Sequence, residues 1–302
     1  MDRLTLMATF VKAVELGSFS AVADELNLSP QLVGKQVKML EQHLGVSLLN
    51  RTTRKQSLTD FGRTFYQRAK LILADMYAAE EMAAVTRGVP SGRLRINAPV
   101  TFGVTTLSPR LLEYMVKYPQ VSVDLTLSNE LVDLVEGGYD AVFRIGELSD
   151  SGLKALPLAP YQMVLCAAPA YLARRPPITT PWDLQEHECL AFAYSDGRSH
   201  IRLEGPEGCI DVPIKSRLTI NQGDPLLAAA VAGLGVVLLP QELVRDALRS
   251  GTLVNLLPQY KVPVSPMNLL YTPDRRLTPK LRSFMDFARA AFGQHPRSGR
   301  QP

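Results

Sequence analysis

The sequence has few of the residues from which metal centres and disulfide frameworks are built. Its 302 residues include three cysteines and four histidines. Cys166, Cys189 and Cys209 are far apart in the chain, unlike the ligands of a zinc ribbon or a redox pair. No two histidines stand at helical spacing, so we predict no metal site. We expect the cysteines to be buried, inert thiols in a reduced cytoplasm, with a thiol sensor as the alternative.

Long apolar runs are also missing. No stretch approaches the ~20 uninterrupted apolar residues that cross a bilayer. Residues 1–20 contain charged side chains and are followed by no small-residue cleavage site, so we expect neither a secretion signal nor a membrane partner. Nucleophile-elbow, phosphate-loop and zinc-protease spacings are absent as well. We therefore predict no catalytic residues and no cofactor.

The composition is that of a folded protein, with 46% hydrophobic and 21% charged residues. Its length favours two or three domains. Up to about residue 88, apolar residues recur at steps of three and four, and Pro30 is the single proline, which predicts a nearly continuous series of helices. From Ser91 onward, short β-rich runs alternate with helical stretches, as in an α/β sheet.

Residues 19–38 have the pattern of a helix-turn-helix. A short helix from Phe19 to Leu26 is followed by a turn and by a second helix. Ser29 suits the cap of that helix and Pro30 its first position. At about 100° per residue, two opposite faces emerge from the sequence: an apolar face of Val33, Val37, Leu40 and Leu44, and a polar face of Gln31, Lys35, Lys38 and Gln42.

Positive charge is concentrated in residues 30–70, which contain eight lysines and arginines against two carboxylates. A solvated helix face is the ordinary interpretation of such charge. Here the cations lie on a capped, outward helix face and in the adjoining segment "NRTTRKQ", which we interpret as a loop, so we favour phosphate as the counterion. The cations are Lys35, Lys38, Arg51, Arg54, Lys55, Arg63, Arg68 and Lys70.

The helix after Leu58 has apolar residues at seven-residue intervals, namely Leu58, Phe65, Ile72 and Ala79. Such a seam favours a dimerising linker helix. Packing within a single subunit is the alternative.

Residues 10–62, "FVKAVELGSFSAVADELNLSPQLVGKQVKMLEQHLGVSLLNRTTRKQSLTDFG", resemble the LysR-type transcriptional regulators. The resemblance continues more weakly through "DAVFRIG" and "AGLGVVLLP". It implies a multidomain α/β protein, with an all-α winged helix-turn-helix, a linker helix and a two-subdomain effector domain of periplasmic-binding-protein-like type 2. The implied boundaries are 1–59, 60–90 and 91–296, with subdomain I at 91–160 and 263–296, subdomain II at 161–262, and a tail at 297–302.

The resemblance also assigns DNA contacts. Where the family usually has serine on the recognition helix, this sequence has Gly34. This glycine either lets the backbone approach DNA more closely or is a neutral loss, the interpretation we favour. Base preference would then depend more on Gln31, Lys35 and Gln36. The expected DNA-binding residues are Ser20, Ser29, Pro30, Gln31, Gly34, Lys35, Gln36, Lys38, Arg51, Thr52, Thr53 and Arg54.

In the α/β part, polar residues follow predicted strands, where ligands bind in such sheets. The junction 98–103 can hold a carboxylate or can be a simple turn and helix cap. Arg144 either counters an anionic ligand or, as we favour, pairs with Asp140 or Glu147. Asp224 is expected to cap a helix and to repel carboxylates. The expected effector-binding residues are Thr101, Phe102, Ser128, Asn129, Arg144, Phe192, Tyr194 and Asn221.

Together these patterns predict a sequence-specific DNA-binding regulator controlled by a small, anionic molecule. The expected partners are double-stranded promoter or operator DNA, the effector and further copies of the chain in a homodimer or homotetramer, with RNA polymerase as an additional candidate. A solute-binding receptor and an enzyme on the same two-subdomain scaffold are the alternative functions.

Overall fold

The computed structural model describes residues 2–52, 55–85, 88–148, 152–193, 199–206, 208–273 and 277–293, with the backbone alone at 51, 52, 55, 56, 77, 78 and 80–85. The chain divides into two compact units. The first comprises residues up to Val89 together with Asp133–Tyr139, and the second comprises the remainder.

The first unit is a cluster of helices with one hairpin. Phe10, Val22, Val33, Val37 and Leu40 are fully buried in its core, and the last three belong to the apolar face predicted from the sequence. Its elements are α1 (Arg3–Leu16), α2 (Phe19–Leu26), α3 (Pro30–Leu44), β1 (Leu49–Thr52), β2 (Lys55–Leu58) and α4 (Asp60–Val85).

The turn between α2 and α3 is fixed by local hydrogen bonds. Asn27 ends α2 in the left-handed conformation at φ 53°, a region that asparagine tolerates. The Ser29 hydroxyl accepts a hydrogen bond from the Leu32 amide at 3.2 Å, so Ser29 caps α3 as predicted. Pro30 occupies the first turn, where a missing N–H costs nothing.

The segment interpreted as a loop from its sequence is an antiparallel hairpin of β1 and β2. Leu49 and Leu58 face each other at its open end, and both pack into the core of the first unit. Thr59 then accepts a hydrogen bond from the Gly62 amide at 2.8 Å and starts α4. The apolar pair and this cap hold a hairpin whose remaining residues are polar.

The face of α4 predicted as a dimer seam is divided between core and surface. Of the seam residues, Phe65 packs beside Phe10 with ring centroids 5.8 Å apart, and the neighbouring Ala69 and Leu73 are buried within the first unit. Ile72 of the seam is 44% exposed, and Phe61, which lies outside the predicted seam, is 45% exposed. Part of the seam therefore serves its own subunit, and the dimer remains a prediction for the exposed part.

The second unit contains two sheets. The first has strand order β4-β3-β5-β14-β6, with β3 parallel to β4 and β5, and β14 antiparallel to β5 and β6. Its strands are β3 (Gly92–Ala98), β4 (Val121–Leu127), β5 (Ala141–Ile145), β6 (Lys154–Pro157) and β14 (Met267–Tyr271); its helices are α5 (Val100–Phe102), continued by a π-helical turn, α6 (Ser108–Lys117) and α10 (Pro279–Phe292).

The second sheet has strand order β11-β8-β12-β7-β13. Its strands are β7 (Met163–Ala167), β8 (Glu188–Phe192), β11 (Lys215–Ile220), β12 (Val236–Pro240) and β13 (Val254–Asn255). The helices α7 (Pro169–Leu172), α8 (Gly223–Val231) and α9 (Gln241–Arg249), and the hairpin of β9 (His200–Gly205) and β10 (Gly208–Pro213), complete this half.

The two sheets are joined by two chain crossings. Tyr161 and Ser265 pair with each other through backbone hydrogen bonds of 2.8 and 3.1 Å, one on each crossing segment. The late strand β14 thus returns to the first sheet. None of the helices in the described ranges is long and apolar enough to span a bilayer.

Candidate nucleic-acid and ligand-binding sites

The exposed face of α3 carries a set of polar and cationic side chains. Gln31, Lys35 and Lys38 are all exposed, and their spacing of four and three places them on one side of the helix. Ser29 and Pro30 are exposed at the start of α3, and Ser20 is exposed on the first turn of α2. These side chains present donors and acceptors beside two ammonium groups, as a surface for nucleic acid requires.

Gln36 does not belong to this face, which corrects the sequence prediction. Its side chain is 2% exposed, and its carbonyl accepts a hydrogen bond from the Thr9 hydroxyl at 2.6 Å. Gln36 therefore joins α3 to α1 inside the core. Its position three residues after Val33 and four before Leu40 is the signal that sequence reasoning missed.

Gly34 faces the neighbouring helix. A Cβ atom at this position would lie 3.5 Å from two ring carbons of Phe19 on α2, which is ordinary van der Waals contact. A side chain at position 34 would therefore lie against Phe19 without a clash, so packing does not require glycine here. This geometry supports the hypothesis of a tolerated loss over that of a closer backbone approach to DNA.

The hairpin carries the other predicted DNA contacts. Arg51 and Thr52 lie in β1, paired with Gln56 and Lys55 of β2, and their backbone alone is described. Thr53 and Arg54 lie outside the described residues. The predictions for these four side chains stay predictions.

In the second unit, Asn129 connects the two sheets. Its side-chain carbonyl accepts a hydrogen bond from the Val100 amide at 3.0 Å, at the start of α5. Its side-chain amide donates to the backbone carbonyl of Asn221 at 2.9 Å, directly after β11 of the second sheet. Two predicted effector residues, 92 positions apart, are thereby brought together.

Thr101 lies at the same junction. It is 8% exposed, and a Cβ atom at Gly223 would come within 2.7 Å of its hydroxyl oxygen. The first turn of α8 therefore touches α5 where the halves built on the two sheets meet. We call this junction, at Val100, Thr101, Asn129 and Asn221, the cleft. Asp224 lies within this first turn and does not cap α8, because Gln222 holds the cap position without a side-chain bond. The capping prediction for Asp224 was wrong.

Phe102 points away from the cleft, contrary to the prediction. It is 2% exposed and packs against Phe143 and Phe292, with ring centroids 5.1 and 5.4 Å away. As its neighbour Thr101 faces the second sheet, the helical rotation of about 100° turns Phe102 into the core of the first sheet.

The remaining predicted effector residues are dispersed. Ser128 accepts a hydrogen bond from the Glu130 amide at 3.1 Å and so stabilises a turn after β4. Phe192 ends β8 and packs against the core of the second sheet. Tyr194 lies outside the described residues.

Arg144 is a half-buried cation on β5, and burial lowers the pKa of its guanidinium. The expected pairing with Asp140 is wrong. Asp140 instead accepts a hydrogen bond from the Arg95 amide at 2.9 Å and lies 3.4 Å from the Lys280 ammonium. Neither Glu147 nor any other residue in the described ranges forms an ion pair with Arg144. Its charge is desolvated and uncompensated within the described fold.

The cysteines divide into two kinds. Cys166 and Cys189 are buried as predicted, and burial raises the pKa of each thiol to about 12. Cys209 is exposed on β10, so the prediction of burial is wrong there. Within the described part of the chain, no three His, Cys, Asp or Glu side chains are grouped as ligands for a metal ion.

Comparison with known proteins gives a consistent result. Residues 4–63 match the family model described as a bacterial regulatory helix-turn-helix protein of the lysR family, and residues 87–293 match the LysR substrate binding domain. The chain is 35% identical to an HTH-type transcriptional repressor of Pseudomonas aeruginosa, over 98% of this chain and 94% of that protein.

Two solved structures are similar over nearly their whole length. CrgA of Neisseria meningitidis, a LysR-type transcriptional regulator, is 33% identical with a TM-score of 0.60, covering 94% of this chain and 96% of CrgA. The Vibrio cholerae virulence activator AphB is 27% identical with a TM-score of 0.67, covering 96% of this chain and 99% of AphB.

Proposed function

Because this chain belongs to the LysR family of transcriptional regulators, we propose that it reads a specific operator through the exposed face of α3 and that a small anionic molecule in the cleft of its effector-binding domain controls this activity. Membership of the family establishes the regulatory function. The residues that contact DNA and effector, the negative charge of the effector and the mechanism of control are what we propose.

The α3 surface supplies the DNA-reading groups. Gln31 stands at the start of the helix, where residues of a recognition helix reach base edges in the major groove. Its amide can pair with adenine, whereas Lys35 and Lys38 suit guanine or phosphate. The hydroxyls of Ser20 and Ser29 suit phosphate oxygens. The hairpin residues Arg51, Thr52, Thr53 and Arg54 would contact the backbone beside the groove.

The single observation that carries the proposed control is the position of Asn129. Its side-chain amide group bonds both to the Val100 amide at the start of α5 and to the Asn221 carbonyl after β11 of the second sheet. A carboxylate that takes the Val100 amide and the Thr101 hydroxyl as donors would displace Asn129 and change the connection between the sheets. Arg144 lies on β5 of the first sheet and forms no ion pair with any described residue, which favours an anion.

The proposal includes an assembly and a location. A homodimer, built in part through the exposed residues Phe61 and Ile72 of α4, would read a two-fold-related site, and two dimers would form a tetramer. RNA polymerase is the further partner of such a regulator, and the cytoplasm is its location. We propose no catalytic activity.

The first experiment selects binding sites from a randomised DNA pool at fixed salt, with Gln31→Ala compared against Gln42→Ala. Both residues are exposed glutamines of α3, but Gln42 lies near its carboxyl end. We expect a two-fold-related motif, with the preference at one base pair of each half-site relaxed by about 1–3 kcal/mol in Gln31→Ala. The Gln42→Ala protein should select the wild-type motif. Failure of the wild-type protein to enrich any motif would contradict the proposal.

The second experiment tests the cleft. Carboxylates are screened for stabilisation of the full-length protein, and hits are repeated with Thr101→Val and with Arg110→Gln, a change of an exposed arginine on α6. Loss of binding in Thr101→Val with retention in Arg110→Gln supports the cleft as the effector site. Equal binding by both variants would place the effector elsewhere.

A further inference from the structure

A second concave site lies beside the second sheet. It is a cavity of about 570 Å³ between α7, β8, β11 and the turn after α8. Thr101, Asn129 and Asn221 do not line it. Nothing in the proposed control of the cleft uses this cavity.

Three of the described lining residues are arginines. Arg217 projects from the edge strand β11, with its side chain 83% exposed. The Arg174 Nε donates to the Ala170 carbonyl at 2.9 Å, which fixes the side chain and leaves its terminal nitrogens available. The Arg175 guanidinium lies 5.8 Å from the centre of the Tyr171 ring. Two of the three cations are therefore held by contacts that do not reduce their charge.

The negative charge at the cavity is much smaller. Among the described lining residues Glu188 is the one carboxylate, and it forms a long ion pair with Arg217, with 3.9 Å between its oxygen and the nearest Arg217 nitrogen. Like charges around a concave surface repel each other, and an entering anion relieves that repulsion. The excess positive charge therefore selects for a ligand with negative charge.

The rest of the lining is apolar. Leu190 and Leu218 lie on neighbouring strands, and Leu234 is 54% exposed beside Gly233. With Tyr171 they form the apolar part of the lining. A ligand that satisfies both parts of the lining carries negative groups on a compact apolar body. Arginine is suited to such groups because its planar fork binds a carboxylate or phosphate through two hydrogen bonds.

We propose that this cavity is a second ligand site, which binds an organic dianion with an aromatic or branched apolar body through Arg174, Arg175 and Arg217. The proposal does not depend on the function assigned to the cleft. Each site can be occupied, or fail, without the other.

The test measures binding of isophthalate, a flat aromatic dicarboxylate, to the full-length protein by calorimetry. Isophthalamide provides the same ring without charge, and inorganic phosphate provides charge without a ring. We expect isophthalate to bind more tightly than phosphate, and isophthalamide not to bind. Arg217→Gln and Arg174→Gln should each lower the affinity for isophthalate about 10-fold.

The controls separate this cavity from other sites. Arg110→Gln removes the same charge from α6, and Thr101→Val alters the cleft, so neither should change the affinity for isophthalate. The proposal is overturned by absence of isophthalate binding, by equal affinity in Arg217→Gln, by loss of binding in Thr101→Val, or by phosphate binding as tightly as isophthalate. Melting temperatures of the variants confirm that each is folded.

Discussion

Gly34 lies inside the helix proposed to read DNA, at a position where the structure has room for a side chain. Glycine costs about 1 kcal/mol relative to alanine in a helix interior. The added Cβ atom would meet the Phe19 ring at 3.5 Å, without a clash. We therefore expect Gly34→Ala to raise the free energy of unfolding by about 1 kcal/mol, measured by chemical denaturation.

The matched control for Gly34 is Gly17, which ends α1 at φ +69° in open space. Alanine disfavours this left-handed conformation, so Gly17→Ala should be destabilising by about 1 kcal/mol. A loss of stability in Gly34→Ala would show that α2 and α3 are packed too tightly for a methyl group.

Gln36 gives the second residue-scale prediction. Gln36→Ala removes a buried side chain and its bond to Thr9, so we expect a loss of about 1–3 kcal/mol in the free energy of unfolding. Because the side chain is buried away from the polar face of α3, the selected DNA motif should not change. A changed motif, in protein that is otherwise folded, would return Gln36 to the DNA-reading surface.

At the scale of elements, β8 is joined to α7 through the Tyr171 hydroxyl, which also contacts His187. The Glu188 amide donates to the Tyr171 hydroxyl at 3.0 Å, and that hydroxyl lies 3.1 Å from Nδ1 of His187. Burial, the largest cause, lowers the pKa of His187 below its ordinary 6.5; the charge of Arg175 lowers it further, whereas Asp183 and Glu186 oppose the shift. The folded state therefore favours the neutral form of His187 more strongly than the unfolded chain does.

The sign of the pH dependence follows from that lowered pKa. Below pH 6.5 the unfolded chain binds a proton at His187 more readily than the folded protein, so this contribution to stability is complete above pH 6.5 and declines as the pH falls. We expect His187→Gln to be less stable at pH 8 but to lose less stability between pH 7 and pH 5 than the wild-type protein. Parallel stability curves in thermal unfolding would contradict a neutral, buried His187.

Elements also show what the sequence can and cannot predict. The bounds of α2 and the start of α3 follow from the spacing of apolar residues and from Ser29, because these signals act within a few residues. The residues of the hairpin were interpreted as a loop because they do not alternate between polar and apolar, although the family resemblance implied a wing. Phe102 was assigned to the wrong side because tertiary packing decides which face of a short helix is buried. The bond between Asn129 and Asn221 could not be predicted because it joins residues 92 positions apart.

At the scale of the whole effector-binding domain, Asn129 offers a pair of variants that separates its two bonds. Asn129→Asp keeps an acceptor for the Val100 amide but loses the donor to Asn221, whereas Asn129→Ala loses both. Hydrogen exchange at Val100 should accelerate in Asn129→Ala and stay slow in Asn129→Asp, since a hydrogen-bonded amide is protected. In both variants the cleft should open more readily, so regulation by the effector should be altered. Equal protection of Val100 in all three proteins would contradict this assignment.

The path of the chain through the first sheet has a consequence for how the protein is made. β14 lies between β5 and β6, and Lys280 of α10 forms an ion pair with Asp140 and donates to the Arg93 carbonyl. The second sheet is built from one continuous stretch between Met163 and Asn255. On the ribosome, that half can fold as soon as it emerges, while the half begun earlier remains incomplete until β14 and α10 are synthesised. A premature stop codon just before Met267 would therefore release a chain in which the second sheet is complete but β6 has no neighbouring strand.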